Sequence, residues 1–553
     1  MRGTWIAVAA VFAAGLAVAP AGAGQLGEVL QKLDAPGCCS MGMAFDGEAL
    51  WVADRKVNKL FRVGLRSGQV LAELPTPGYR ATGLTFDGKY LWIADRDQDV
   101  LFRLDPDSGV VDKVLALTAR SPRGLTWDGE FLYLADARSD RIQVLDPADG
   151  AMVRTIPAPH GAVTGLAFDG KRLWAADRNL DEIYLVDRRR GEVLGILYSP
   201  GPHPWGLAFD GQRLWCGDYQ KRKLFAIEIE ADKPLMHRED KTLRVEHVIH
   251  FLSQGPDDVD IVDFFIAVPA SRYHQTILGK PVFSPKPRTV LTDRWGQQVA
   301  HFRQQDVKPG TFLEPRIAVD AVLHRIQFWI LPEKVGPLRN IPRKVRRQYL
   351  ADGTKYRLNN ETIRRAAREA VGDERHPYWM ARKIYHYVRE KLEYKLSPPG
   401  WDAAPLLLER GTGSCSEYTF VFVALCRANG IPARYVGGVV TRGDDAFVDN
   451  VFHRWAEIYL PNVGWIPVDP DRGDRDTPRG VALGFGHLDN TLLVTTVAGG
   501  QSEYLDWKYN GNVKWSFRGR TQVYVEHIGE LAPLEEVERE PAPGDEPEPM
   551  VAP

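Results

Sequence analysis

Cys415, His453 and Asp469, in that order and in their settings, suggest a thiol nucleophile, its base and its orienting carboxylate. Cys415 lies in Gly413-Ser414-Cys415-Ser416-Glu417-Tyr418, at the head of an apolar segment. His453 lies in Phe452-His453-Arg454-Trp455-Ala456-Glu457, and Asp469 in Pro467-Val468-Asp469-Pro470. A thiolate attacks carbonyl carbon, a histidine takes and returns the proton, and a carboxylate fixes the imidazole tautomer. Ser414 and Glu417 make a Ser-x-x-Glu capping pattern, which places Cys415 at the first helical position. Backbone N–H groups at a helix start lack intrahelical partners, and the helix dipole favours negative charge. The same turn therefore stabilises a thiolate and can hold a developing oxyanion. The expected chemistry is attack on an amide, with a thioester on Cys415.

The elements that must position these groups follow from pattern. The helix headed by Cys415 runs through Leu425 and stops at Gly430, with Pro432 beyond it. Ala433 to Val440 is strand-like, Phe452 to Leu460 alternates, Pro461-Asn462-Val463-Gly464 is a turn, and Trp465 to Val468 continues as a second strand. With Leu460 opposite Trp465, Asp469 falls opposite Ala456 rather than His453, so a bulge or an offset register is needed to join the pair. Cys426 is eleven residues after Cys415. On one helix that is roughly 16 Å, against the roughly 7 Å that a disulfide allows, so Cys415 is expected to stay unpaired.

The rest of the chain sets the context. Its 553 residues are 44% apolar, enough for several domains, and the formal charge of −2 gives no reason to expect nucleic acid as a partner. Arg2, an apolar run from Trp5 to Val18 and Ala21-Gly22-Ala23 read as a signal peptide over residues 1–23. The mature protein is expected to be soluble and periplasmic or secreted, starting near Gly24. The five cysteines are Cys38, Cys39, Cys216, Cys415 and Cys426. Cys38 with Cys39, or Cys39 with Cys216, are the conceivable disulfides. No Cys-x-x-Cys pair or Cys/His cluster marks a zinc site, and neither a metal nor a cofactor is implied.

Residues 24–241 hold five copies of a repeat with a period of 41, marked by Gly42, Gly83, Gly124, Gly165 and Gly206. Each copy has an Asp-Gly hairpin turn between apolar runs and four short strands, as propeller blades do. The last copy lacks its fourth strand, and Gly27-Glu28-Val29-Leu30 stands in phase to supply it. The expectation is an all-β five-bladed propeller with an N-terminal clasp, which also removes an exposed edge. The repeated Asp54, Asp95, Asp136, Asp177 and Asp218 are expected to serve each blade's own turn rather than a ligand. Residues 242–335 read as a small β-sandwich-like domain and 336–529 as an α+β catalytic domain. A basic run from Arg339 to Arg347 reads as a solvated face or linker, and helices are expected from Glu361 to Val371, capped by Asn360, and from Tyr378 to Leu392. The acidic, proline-rich tail 530–553 is expected to be disordered.

Residues 361–470 resemble the transglutaminase-like core of the papain-like cysteine enzymes. The resemblance rests on the motifs around Cys415, His453 and Asp469, on Arg427-Ala428-Asn429-Gly430-Ile431-Pro432-Ala433-Arg434-Tyr435-Val436-Gly437-Gly438, and on Gly464-Trp465-Ile466 ahead of Pro467. It implies Cys415 as nucleophile, His453 as base and acid, and Asp469 as orienter. It also implies an oxyanion side chain, for which Tyr378, Trp379 and Trp401 are the candidates. The β-domain 242–335 looks like one that often accompanies bacterial members, and the calcium sites of the animal enzymes are not recognisable. The family holds cross-linking enzymes, peptidases, deglycosylating amidases and inactive members. Three readings follow: transfer of the acyl group of a protein or peptide substrate recruited by the propeller, hydrolysis of the same bond by a cysteine peptidase or amidase, or a catalytically silent scaffold.

Overall fold

A computed structural model describes residues 25–230, 234–396, 402–441, 447–450, 452–472 and 477–534. The signal peptide, Trp401 and the tail from 535 onward lie outside these residues.

The repeats fold into five four-stranded antiparallel sheets. Their first strands, Ser40–Phe45, Ala81–Phe86, Pro122–Trp127, Val163–Phe168 and Pro204–Phe209, contact one another in a closed order, the last against the first. The N-terminal strand Val29–Asp34 pairs with Lys223–Ile227 and completes the fifth sheet. Asp-Gly turns close the first hairpins because the glycine takes a positive φ, as at Gly88 (φ 99°). The aspartate of each turn also fixes an aromatic ring. Trp51, Trp92, Trp174 and Trp215 donate Nε1–H to Asp46, Asp87, Asp169 and Asp210 at 2.7–3.0 Å. The later aspartates bind backbone: Asp95 accepts from Arg80, Asp97 and Gln98 N–H at 2.7–3.0 Å. The repeated carboxylates thus hold turns.

After the ring come two packed sheets. Leu235–Pro256 pairs with Arg316–Phe328 on one side and with Thr521–Pro533 on the other. Val259–Ala267 lies between Gln298–Val307 and Gly511–Phe517. Their facing residues, among them Phe251, Phe264, Val319 and Val513, form one core. Three expected boundaries move. The division at 241/242 falls inside a single 22-residue strand. Residues 511–533 return from the catalytic segment to the β-sandwich, and the strand ending at Pro533 overruns the boundary expected at 530. Composition could not show this, because a sheet partner hundreds of residues away leaves no local signal.

The catalytic segment adds helices Arg343–Tyr349, Glu361–Val371, Pro377–Lys391, Ala404–Arg410 and Cys415–Ala428. Part of the basic run is therefore helical. Asn360 caps its helix, accepting from Thr362 N–H at 2.8 Å. A four-stranded sheet has the order Gly464–Val468, Phe452–Leu460, Ala433–Val440, Leu492–Ala498. The ring and this segment share a continuous core that includes Trp174, Trp329, Tyr378 and Phe420. The Trp329 ring lies where a Cβ on Gly195 would sit, 2.1 Å away, so only glycine admits it. Buried Arg382 donates to Glu192 at 2.6 Å, and Arg479 grips Glu182 with two bonds of 2.6 Å. Among the described residues no helix is long and apolar enough to cross a membrane.

Candidate active site

Cys415 begins its helix and is half-buried, whereas most of the helix beyond it is fully buried. The Glu417 carboxylate accepts from Ser414 N–H at 2.9 Å and from the Ser414 hydroxyl at 2.5 Å, which fixes the turn that presents the thiol. A Cβ on Gly413 would meet Glu417 at 2.5 Å, so the approach to this turn also requires glycine. Thr419, absent from the sequence reading, clamps the helix to the histidine strand. Its hydroxyl lies 2.8 Å from the Cys415 carbonyl and 3.2 Å from the Arg454 carbonyl.

His453 and Asp469 meet directly, with Nε2 to Oδ2 at 2.6 Å. Cys415 lies close enough to His453 to help raise the histidine pKa. Since Asp469 occupies Nε2, Nδ1 is the ring nitrogen left for the thiol. The register is offset by one from the simple pairing: Leu460 faces Gly464, and Ala456 faces Val468. Asp469 is then level with Trp455. The remaining gap closes because the strand ends at Val468 and Asp469 N–H bonds the Gly484 carbonyl at 2.8 Å. Burial works against a charged His453, but attraction and hydrogen bonding to Asp469, together with Cys415, hold its pKa well above the ordinary value. Burial likewise opposes the Asp469 charge, and His453 and Arg472 outweigh it, keeping the carboxyl below its usual range. His453, Asp469 and Asp471 also have donor atoms within 4.8 Å of one another, and the His453 Nε2 is engaged by Asp469.

Two oxyanion candidates lie elsewhere. Tyr378 packs on Phe485, and Trp379 lies 3.9 Å below the Arg190 guanidinium of the ring. Trp401 is outside the described residues. Two phenols sense the charge of the thiol, Tyr394 and Tyr509, and sequence reading passed over both. Tyr509 is the buried one; burial and the Cys415 charge push its pKa up, so it remains a donor. Its ring covers Gly437, where a Cβ would come within 2.4 Å, and the Arg454 guanidinium stacks on it at 4.4 Å. The Gly437-Gly438 pair was the available signal, since two glycines in a buried strand mark close approach by another group.

The other thiols play no part here. All five cysteines are free. Cys38 and Cys39 sulfurs are 3.3 Å apart, and buried Cys216 sits against Ser199, its pKa raised by burial to about 12.

The family model described as Transglutaminase-like superfamily matches residues 364–470. The chain is 31% identical over 100 residues to a protein-glutamine gamma-glutamyltransferase of Pseudomonas aeruginosa, covering 16% of this chain and 15% of that protein. It is 28% identical over 159 residues to an uncharacterized protein of Haemophilus influenzae, covering 25% and 43%. The chain therefore spans less than half the length of these curated relatives. A solved structure from Cytophaga hutchinsonii, provisionally assigned as a cysteine protease, is 16% identical with a TM-score of 0.40, over 55% of this chain and 94% of that one. Residues 364–470, which carry the thiol helix, the histidine strand and the aspartate strand, are a domain of the transglutaminase-like superfamily, a cysteine-dependent enzyme family.

Proposed function

We propose that this chain is an exported enzyme that transfers acyl groups of protein or peptide amides through a thioester on Cys415. The observation that carries the reading is the His453–Asp469 pair at 2.6 Å, with Cys415 close enough at the helix start to act on the same imidazole. Asp469 holds the imidazole, and the imidazole holds the proton of the thiol. The thiolate adds to the carbonyl, forming the S–C bond; the C–N bond then breaks as His453 gives its proton to the leaving amine. Water or a primary amine attacks the thioester and releases the thiolate. On this reading the Tyr509 hydroxyl and the free backbone N–H groups at the helix start serve as the oxyanion donors. The five sheets are read as a five-bladed propeller that recruits the polypeptide. The closed order of their inner strands supports that reading.

The test uses a glutaminyl peptide with and without an added primary amine, followed by mass spectrometry of product and enzyme. Expected are an acyl adduct on Cys415 and an amine-dependent product. Release of free acid alone, whatever the amine concentration, would assign hydrolysis; no adduct with any peptide amide would favour the silent scaffold. Tyr509→Phe keeps the ring on Gly437 and removes the hydroxyl. It should lower kcat about 10²-fold with KM little changed, the scale for one oxyanion donor, as steady-state kinetics would read out.

A further inference from the structure

The 41-residue period places Met41, Thr82, Arg123, Thr164 and Trp205 at equivalent points of the five inner strands. The Thr82 and Thr164 hydroxyls donate to the Pro122 and Pro204 carbonyls of the next strand at 2.9 Å and are satisfied within the ring. Arg123 and Trp205 are not. Arg123 is 8% and Trp205 5% exposed, and neither Arg123 Nε nor the Trp205 indole nitrogen has a hydrogen-bond partner. Two buried donors without acceptors are costly unless something supplies the acceptors.

Further cations surround them. Arg55, Arg96 and Arg178 each follow a repeated aspartate, and Arg80 precedes the inner strand Ala81–Phe86, so all lie at one end of the ring. The guanidinium groups of Arg123 and Arg178 stack on the Trp205 ring at 5.4 and 5.1 Å, and that of Arg55 lies 5.7 Å from Tyr219. Burial, then the charges of Arg96, Arg178, Arg80 and Arg55, lower the Arg123 pKa to about 10. Counter-charge is scarce. Arg80 pairs with Asp97 at 3.5 Å, whereas Arg55, Arg96, Arg123 and Arg178 have no ion pair among the described residues. Asp54 is engaged by Cys39, Lys56 and Val57 N–H, and Asp177 by Ala162, Asn179 and Leu180 N–H and by His160, while Asp218 keeps one buried carboxylate oxygen without a partner.

We propose that this end of the ring binds the carboxylates of an acidic peptide segment, with Arg123 and the Trp205 N–H as the deepest donors and Arg55, Arg80, Arg96 and Arg178 around them. Cations spread over several repeats match several carboxylates along one chain better than a single small ion. Arg479, ten residues beyond Asp469, donates its N–H to the Pro159 carbonyl, in the connection repeat-equivalent to the one carrying Arg80. The choice of a peptide rests on the acyl-transfer reading; the binding itself does not require catalysis.

The experiment measures fluorescence anisotropy of a fluorescein-labelled oligo-glutamate peptide and its oligo-glutamine counterpart on the full chain carrying Cys415→Ala, so that turnover of the peptide cannot obscure binding. The glutamate peptide should bind, the glutamine peptide about tenfold or more weaker, and Arg123→Gln and Arg178→Gln should each weaken binding about tenfold, with affinity falling as salt rises. Arg123→Gln without peptide should melt no lower than its parent, because it removes a buried unpaired charge; peptide should raise the melting temperature of the parent and not of the variant. Equal binding of both peptides, no effect of either arginine variant, or binding of pyrophosphate without the glutamate peptide would overturn the proposal. Arg178→Gln, at a half-buried side chain, decides the matter if Arg123→Gln fails to fold.

Discussion

Cys415→Ala should lower kcat/KM of acyl transfer about 10⁶-fold, and Asp469→Asn should lower kcat about 10⁴-fold. The first change removes the atom that forms the thioester, so only binding and oxyanion contacts remain. The second leaves the thiol in place and disturbs only its base. Asp469 is 4% exposed, and its carboxylate accepts from His453 Nε2 at 2.6 Å. An asparagine there removes the charge and permits the wrong tautomer, with Nε2 no longer held as the donor. The pH dependence gives this prediction a second readout. His453 titrates well above its ordinary value because Asp469 outweighs burial. Without the carboxylate, burial prevails and the His453 pKa falls, so the histidine limb of the kcat/KM profile should move to lower pH. Stability should follow the same linkage. A histidine with a raised folded pKa contributes fully below its unfolded value of about 6.5 and loses that contribution as pH rises through the folded value; a carboxyl with a lowered pKa contributes above about 3.9 and loses it as pH falls through its folded value. The melting-temperature difference between wild type and Asp469→Asn should therefore be greatest between about pH 4 and 6.5 and shrink on either side. A flat difference across pH would remove the ion pair from the account.

Glu457→Ala should destabilise the protein by about 3–5 kcal/mol, the cost of removing one partner from a buried ion network. Glu457 is 1% exposed and lies four residues after His453 on the same strand. It accepts from Arg272 and from the Tyr273 hydroxyl at 2.5 Å, and from Arg434 at 2.8 Å. Burial opposes its charge, but Arg272 and Arg434 prevail and lower its pKa to about 2. Alanine would leave two guanidinium groups and a phenol without their acceptor. Arg272 and Tyr273 come from the β-sandwich and Arg434 from the catalytic sheet, so the network joins two parts of the molecule. Urea unfolding would measure the loss. Glu457→Gln, which keeps one acceptor oxygen, should lose less, and a loss below about 1 kcal/mol for alanine would show that the network relaxes or admits water.

The cysteine at a helix start and the histidine and aspartate motifs were all legible locally. Ser414 and Glu417 are three residues apart, so a capping interaction can be read from spacing alone, and the 41-residue period is a property of the string itself. Tyr509 was not legible. It lies 94 residues after Cys415, in a stretch with no periodicity, and only the Gly437-Gly438 pair hinted that a ring packs there. Tyr378 and Trp379 show the converse error, since an aromatic near a motif in sequence can face another way, as these two face the ring.

Sequence by itself determined the cysteine, histidine and aspartate motifs, the helix that presents the thiol and the repeat that builds the ring, because capping, turn chemistry and alternation act over a few residues. Tertiary structure alone decided the rest. It set the one-residue offset that brings Asp469 to His453, returned residues 511–533 to the β-sandwich, and gathered arginines from successive repeats at one end of the ring. Each of these depends on contacts between residues distant along the chain, and such contacts are fixed by how layers pack, which no local pattern encodes.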